Sequence, residues 1–288
     1  KKKGQRFEYF VKEFLKDDRH GISKIKKVWS FKDAPINWGA DTGTDLIFKD
    51  YDGKYWAVQA KKYDSEYSVT KEDINSFISD SNRAIIHKRL LIISTNKIAN
   101  NGLKTINSQE KEVKIFRLQN FQDMGDIFPK KLSDLIKLKP YDIPTPKPHQ
   151  TEAIEDVLKE FKINNKGQLI MACGTGKTFT CFWIHQRLKS KKTLVLLPSL
   201  NLMSQMLKEW IFANGSSFRS LCVCSDSTTI DGIQEDEIII EKSDLPYSVT
   251  SDINEIKSFL SRKEPTVVFS TYQSSPLIAE AQAELKSH

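Results

Sequence analysis

A glycine-rich loop between an apolar run and an amphipathic stretch constrains the fold of this chain more than any other feature. The run at 168–172 (QLIMA) predicts a short strand, residues 173–178 are CGTGKT, and a helical pattern follows. In such a strand–loop–helix unit, loop N–H groups and the helix N-terminus face the phosphates of a nucleotide. Lys177 then reaches the β/γ phosphates, and Thr178 ligates Mg²⁺. The pattern predicts a parallel α/β domain that binds ATP through Gly174, Thr175, Gly176, Lys177 and Thr178.

A second stretch, residues 39–62, has the pattern of a β-hairpin. The apolar runs Leu46–Phe48 and Tyr55–Ala60 lie on either side of a polar turn. Asp52-Gly53 within that turn is a typical hairpin dipeptide, because its glycine tolerates positive φ.

The polar residues of this hairpin form a candidate site. Side chains alternate along a strand, so Gln59 and Lys61 share one face. Asp45 begins the partner strand, with Asp41 four residues upstream. Carboxylate and amide oxygens beside a lysine can hold a hard divalent cation next to a phosphodiester. A solvated hairpin with the same residues is the alternative interpretation of the pattern taken alone.

Composition limits the class of protein. A chain of 288 residues with 39% hydrophobic residues is long enough for about two packed domains. Its net charge of +7 suits a polyanionic partner, although a lysine-rich composition also arises from genome bias. Four cysteines without zinc spacing, and the lack of any apolar run near eighteen residues, predict a cytoplasmic protein that does not enter a membrane.

The first half predicts a mixed α/β fold. Helices are predicted at 5–15, 70–86 and 99–106, and strands at 25–31, 46–48, 55–60, 90–94 and 113–118. The order αβββαβαβ favours one mixed sheet with helices on both faces.

A proline-rich segment separates this half from the second. Residues 138–148 contain four of the ten prolines, which predicts an extended linker between domains at 1–137 and 149–288. The second half predicts helices at 149–161 and 278–285 and strands at 194–197 and 266–270. Its segment Asp231–Asp244 carries six acidic residues and predicts a solvated insertion that repels DNA.

The hairpin motifs resemble a nuclease family. The string G-x-D-x-G-x-D-L-I at 39–47, followed by V-Q-A-K-K at 58–62, is similar to the Mrr-type branch of PD-(D/E)xK nucleases. In that branch glutamine replaces the usual acidic residue, and Thr44 stands here where the family name has proline. The resemblance implies a restriction-endonuclease-like fold and Mg²⁺-dependent DNA cleavage. It assigns metal binding to Asp45, Gln59 and the Ala60 carbonyl, catalysis to Lys61, and supporting roles to Asp41 and Glu8.

The second half resembles superfamily 2 helicases. Pro148-His149-Gln150 is similar to the motif whose glutamine reads adenine, although Met171 replaces the first glycine of the loop pattern. Two further strings, 194–200 and 266–273, resemble motifs that touch DNA. The resemblance implies a RecA-like P-loop domain, and the residues expected to contact DNA are Ser199, Gln205, Thr271, Tyr272, Gln273 and, from the nuclease half, Lys62.

The combined resemblance is to the N-terminal part of ATP-dependent restriction enzymes of the type ISP, single-polypeptide kind. No D-E-x-H string occurs, so we expect an incomplete motor within a longer polypeptide that also carries a second motor domain, a methyltransferase and a target-recognition domain. The expected partner is double-stranded DNA. Alternatives are a type I restriction motor subunit, a repair or defence helicase–nuclease without methyltransferase, and a nuclease fold retained only as a DNA-binding clamp.

Overall fold

The protein divides into two compact units, which are described separately. The computed structural model describes residues 2–17, 22, 25–36, 38–39, 43–124, 143–216, 218–225, 247 and 249–286. The first unit lies within residues 1–140 and 240–248, and the second within 141–239 and 249–288. The predicted linker spans this division. Its residues 138–142 lie outside the described residues, and residues 143–147 form neither helix nor strand.

The first unit follows the predicted order of elements and adds a fourth helix, which was not predicted, after the last strand. Its helices are α1 (Lys2–Phe14), α2 (Lys71–Asp80), α3 (Asn100–Asn107) and α4 (Leu118–Asp123). Its strands are β1 (Ile25–Ser30), β2 (Leu46–Asp50), β3 (Tyr55–Lys61), β4 (Ile86–Ile93) and β5 (Val113–Phe116).

These strands form one five-stranded sheet in the order β1-β2-β3-β4-β5. The first three strands are antiparallel, and β3, β4 and β5 run parallel, which confirms the mixed sheet. Trp56, Val58 and Ala60 of β3 pack with α1 on one face, while Ala57 of β3 packs with α2 on the other. Both faces are therefore covered by helices, as predicted.

Two predicted boundaries of this unit are wrong. Helix α2 ends at Asp80 rather than near 86, and Ile86 begins β4. The end is set by capping: Ser81 Oγ donates to Phe77 O at 2.5 Å, and Arg89 donates to Ile78 O at 3.2 Å. The strand predicted at 113–118 ends at 116, because the chain turns into α4.

The second unit contains five helices and four strands among its described residues. The helices are α5 (Pro148–Glu160), α6 (Lys177–Leu188), α7 (Leu200–Asn214), α8 (Ile253–Leu260) and α9 (Ser275–Lys286). The strands are β6 (Lys192–Leu197), β7 (Ser220–Val223), β8 (Val249–Thr250) and β9 (Thr266–Thr271). Among all described helices, none is long and apolar enough to cross a bilayer.

The sheet of the second unit is parallel, as predicted, with the order β6-β9-β7-β8. Trp210 of α7 lies near its centre and is only 2% exposed. Its ring contacts Phe182 of α6 and Phe269 of β9, and its indole N–H donates to Thr178 O at 3.2 Å. This packing holds α6, the helix that follows the glycine-rich loop, against the rest of the unit.

The strand predicted at 168–172 is not formed. These residues make no ladder with any described strand, and Ile170 is 82% exposed. A strand needs a neighbour to pair its N–H and C=O groups, and the sheet ends at β6, whose Leu194 is 45% exposed. The predicted acidic insertion at 231–244 lies outside the described residues.

Candidate functional site

Asp45 is held firmly at the beginning of β2. Its backbone N–H donates to Val58 O at 2.9 Å, and its carbonyl accepts the N–H of Phe31 at 2.9 Å. Its carboxylate oxygen Oδ2 accepts the N–H of Ala60 at 2.7 Å. The carboxylate therefore lies against the Gln59–Ala60 peptide, where the hairpin motif predicted that the two arms meet.

Gln59 is buried, with only 2% of its surface exposed. Its Nε2 donates to Gly43 O at 2.8 Å. Its Oε1 is also buried and, among the residues that the structure describes, accepts no hydrogen bond. A buried acceptor without a donor is costly, so this oxygen is a candidate ligand for a cation.

Gly43 also belongs to this site, although its motif does not distinguish it from the other glycine of the same loop. A Cβ at this position would lie 2.8 Å from Ser76 C and 2.9 Å from Phe77 N, both backbone atoms of α2. Only glycine allows this approach. The signal in the sequence was its place two residues before Asp45, but a glycine in a loop has many explanations.

Lys61 is the last residue of β3 and is partly exposed on the same strand face as Gln59. Within the described part of the chain, its Nζ forms no hydrogen bond or ion pair. The segment after it is anchored: Ser94 N donates to Lys61 O at 3.3 Å, and Tyr63 N donates to Ser94 Oγ at 2.7 Å. A free ammonium on a fixed backbone is available to a substrate phosphate, and the exposed side chain of Lys62 lies beside it in sequence.

The two supporting acids predicted for this site are not brought to it by the described contacts. Asp41 lies outside the described residues. Glu8 lies on α1, which packs on the sheet face that carries Trp56 and Val58, opposite the Gln59 side chain. Among the described residues, no three His, Cys, Asp or Glu side chains form a group that could hold a metal. The roles of both acids stay predictions.

The donor set of this site nevertheless fits a hard divalent cation. It offers a carboxylate from Asp45 and an amide oxygen from Gln59 that has no partner among the described residues, and the nuclease resemblance adds the backbone carbonyl of Ala60. All three are oxygen ligands, which Mg²⁺ prefers, and Mg²⁺ completes its shell with water. One carboxylate among these ligands means weak binding in the absence of a substrate phosphate.

In the second unit, two glycines shape the predicted phosphate-binding loop. Gly174 and Gly176 have φ of +77° and +79°, a region that residues with a Cβ rarely adopt. Thr175 Oγ1 donates to Ala172 O at 2.7 Å and closes the turn. The first N–H groups of α6 have no partner within the helix, so the loop and helix together present donors suited to an anion.

Lys177 folds back over the same loop. Its Nζ donates to Ala172 O at 3.1 Å and to Met171 O at 3.3 Å. These carbonyls hold the ammonium above the loop, where the motif requires it. Thr178 follows on the first turn of α6, which is the position predicted for a Mg²⁺ ligand.

Gln150 is brought to the loop, as its motif predicted. It is 4% exposed, and its Nε2 donates to Thr175 O at 3.0 Å. The neighbouring His149 Nε2 lies 3.2 Å from the same oxygen. The structure thus unites Gln150 with the phosphate-binding residues, and its reading of adenine stays a prediction.

The predicted DNA-contacting residues fall into two groups. Ser199 and Thr271 lie at the carboxyl ends of neighbouring parallel strands, but each forms a hydrogen bond within the protein. Ser199 Oγ, at the N-cap of α7, accepts the N–H of Leu202 at 3.3 Å. The fully buried Thr271 donates its hydroxyl to Ser274 Oγ at 2.9 Å. Tyr272, at 56% exposure, projects into solvent. The other exposed members of the set are Gln205, Gln273 and, in the nuclease unit, Lys62.

Comparisons with known proteins agree with the two kinds of domain. Residues 16–126 match a family described as "Restriction endonuclease" (Mrr_cat_2), and residues 143–287, just over half of the chain, match "Type III restriction enzyme, res subunit". The "Probable helicase A859L" of African swine fever virus (isolate Tick/Malawi/Lil 20-1/1983) is 32% identical over 133 residues, which is 46% of this chain. The same protein from isolate Pig/Kenya/KEN-50/1950 is 29% identical over 132 residues. The chain spans only 14% of the length of these relatives.

A solved structure covers both units. The "ATP-dependent Type ISP restriction-modification enzyme LlaBIII bound to DNA" matches with a TM-score of 0.77 and 28% identity. The match covers 96% of this chain and 18% of LlaBIII. The order of the two units is therefore also found in an enzyme of the kind that the motifs resemble.

Proposed function

Since this chain belongs to the restriction-enzyme family of the Type III res subunit and carries an Mrr-type nuclease domain before the helicase-like domain, we propose that it is the nuclease and part of the motor of an ATP-dependent restriction enzyme. The nuclease cuts foreign double-stranded DNA in a Mg²⁺-dependent reaction, and the motor translocates that DNA at the expense of ATP. The functional type that these features resemble is the type ISP restriction–modification enzyme.

The observation that carries the nuclease proposal is the buried Oε1 of Gln59, which has no partner among the described residues, on the residue before Ala60, whose N–H the Asp45 carboxylate accepts. Asp45, Gln59 Oε1 and the Ala60 carbonyl would hold Mg²⁺. When bound, the cation would lower the pKa of a coordinated water and stabilise charge on the scissile phosphate. Lys61 orients the attacking water and offsets negative charge in the transition state through its free ammonium.

The nucleotide proposal depends on the loop of the second unit. Residues 174–178 bind the phosphates of ATP, with Lys177 facing the β/γ pair and Thr178 ligating Mg²⁺. Lys177 now contacts Met171 O and Ala172 O. When ATP binds, a rotation of its side chain would exchange these contacts for contacts with the phosphates. Completion of a hydrolytic site requires further groups, which we expect from other parts of the same polypeptide.

The partner proposal is double-stranded DNA. The net charge of +7 provides long-range attraction to the phosphate backbone, and LlaBIII, which this chain resembles, was solved bound to DNA. We assign backbone contacts to Lys62 in the nuclease unit and to Tyr272 and Gln273 in the motor unit. Their exposure makes them available.

The test of the nuclease proposal is the variant Asp45→Asn in the full-length protein. Asparagine keeps an oxygen to accept the Ala60 N–H but removes the charge that binds the cation. Nicking of supercoiled DNA should fall by a factor of about 100 or more, while DNA-stimulated ATPase persists. Asp33→Ala, an exposed acid of the same unit, is the control and should cut normally. Normal cutting by Asp45→Asn would contradict the assignment.

A further inference from the structure

The amide of Gln59 is oriented by one carbonyl group. Its Nε2 donates to Gly43 O at 2.8 Å, and the side chain is 2% exposed. An amide has a donor end and an acceptor end, so the bond to Gly43 directs Oε1 to the opposite side. That oxygen is buried and has no hydrogen-bond partner in the described part of the chain.

Packing against α2 fixes the position of the Gly43 carbonyl. The glycine packs directly against α2, where an added Cβ would lie 2.8–2.9 Å from backbone atoms of Ser76 and Phe77. Backbone atoms in a helix cannot move aside as the end of a flexible side chain can. The contact between Gly43 and α2 therefore sets where the acceptor for Gln59 lies.

We propose that Gly43 is a positioning residue of the nuclease site and is the reason that position 59 carries an amide instead of an acid. This inference rests on the proposed nuclease function. A carboxylate at position 59 would bring an oxygen without a proton to about 2.8 Å from Gly43 O in a buried place, where the two acceptors repel. The side chain would turn away, and its oxygen would leave the site of the cation.

The effect that we expect of Gln59→Glu on cation binding is the opposite of the effect expected from charge alone. A second carboxylate normally strengthens binding of a divalent cation, so Gln59→Glu should improve the site if only charge mattered. Because Gly43 O requires a donor, we expect the opposite. Gly43→Ala should also weaken cation binding, although Gln59 is unchanged. The added methyl group would push residue 43 away from α2 and so move the carbonyl that Gln59 contacts.

The experiment compares Gln59→Glu with Gln109→Glu in the full-length protein. Gln109 also donates to a backbone carbonyl, Thr105 O at 2.9 Å, but it lies just after the end of α3 and not at the site. In EDTA, the unfolding temperature of the nuclease unit should fall by roughly 5 °C in Gln59→Glu relative to Gln109→Glu. Calorimetric titration with Ca²⁺ should show an affinity about tenfold weaker.

Gly43→Ala provides a second arm that keeps the inference testable if Gln59→Glu does not fold. Its control is Gly167→Ala, where an added Cβ meets no atom within 4 Å. Weaker Ca²⁺ binding by Gly43→Ala, with normal binding by Gly167→Ala, supports the positioning role.

Two results would contradict the positioning role of Gly43. If Gln59→Glu is as stable as Gln109→Glu and binds Ca²⁺ as tightly as the unmodified protein or more tightly, the inference is wrong. Unchanged Ca²⁺ affinity in Gly43→Ala would also overturn it. Asp45→Asn distinguishes failure of the proposed nuclease function from failure of this inference. If Asp45→Asn still cuts DNA, the proposed function is wrong. If Asp45→Asn is inactive while Gln59→Glu has normal stability and Ca²⁺ binding, only this inference is wrong.

Discussion

The side-chain amide of Gln150 donates to Thr175 O at 3.0 Å and so joins helix α5 to the phosphate-binding loop. Its oxygen accepts the backbone N–H of Lys147 at 2.9 Å. One buried side chain therefore connects the end of the proline-rich segment with the loop. Both ends of the amide are engaged, so the reading of adenine requires that these bonds be exchanged for bonds to the base.

Gln150→Ala should weaken ATP binding. The change removes the support of Thr175 O and leaves the loop less ordered, which should lower ATP affinity by about tenfold, or about 1.4 kcal/mol. Fluorescence titration with a labelled ATP analogue measures the effect. Gln186→Ala, an exposed glutamine of α6, should bind ATP normally. Equal affinities of the two variants would show that Gln150 does not organise the loop.

Lys61→Met should reduce DNA cleavage by a factor of roughly 100 or more while leaving Ca²⁺ binding intact. Methionine keeps most of the apolar stem but removes the ammonium that faces the phosphate. Single-turnover cleavage measures the rate, and titration calorimetry measures Ca²⁺ affinity. Lys97→Met is the control, because Lys97 is exposed and pairs with Glu66 instead. Cleavage at the normal rate by Lys61→Met would remove Lys61 from the mechanism.

Tyr272→Ala and Ser274→Ala should separate DNA contact from loop support. Tyr272 is 56% exposed, so its loss should weaken DNA binding without changing stability. Ser274 is buried, accepts the Thr271 hydroxyl at 2.9 Å and the N–H of Ser225 at 2.8 Å, so its loss should lower the unfolding temperature. Fluorescence anisotropy measures the DNA affinity of each variant, and thermal unfolding measures its stability. Equal DNA affinity of Tyr272→Ala and the unmodified protein would count against a contact there.

The stability of the nuclease unit should depend on Glu112 at low pH. Burial alone would raise the pKa of Glu112, but the ammonium groups of Lys114 and Lys88, at 2.7 and 2.8 Å, lower it to about 2. A depressed pKa means that the stabilisation is present above the unfolded pKa, near 4.3, and is lost as pH falls toward 2. Because 27% of the Glu112 side chain is exposed, solvent screening reduces the contribution to about 1–2 kcal/mol.

Glu112→Gln should therefore be less stable than the unmodified protein at pH 7, with the difference shrinking between pH 4 and pH 2. Urea unfolding of the nuclease unit at several pH values measures this. Glu66→Gln, which removes an exposed pair with Lys97, is the control and should change stability little. A difference that is constant with pH would show that the loss is one of packing and not of charge.

Short-range patterns determined much of this fold from the sequence alone. The hairpin around Asp52-Gly53 forms as predicted, with φ of +83° at Gly53. The helix start at Thr70 is also correct, because the Asp73 carboxylate accepts the Thr70 N–H at 2.8 Å. Turn and cap interactions join residues that are only a few positions apart, so local composition is sufficient to predict them.

The tertiary structure decided what depends on distant partners. Residues 168–172 have the composition of a strand, yet no described strand lies beside them to complete the ladder. Thr271 ends strand β9 in a motif predicted to contact DNA, yet its hydroxyl donates inward to Ser274. The sequence predicted that Asp45 and Gln59 meet, because the hairpin register brings them together. Which end of the Gln59 amide faces the site was decided by Gly43, sixteen residues away and seated against α2. A side-chain dipole takes its direction from whichever group the folded chain places beside it, and residue type alone does not contain that information.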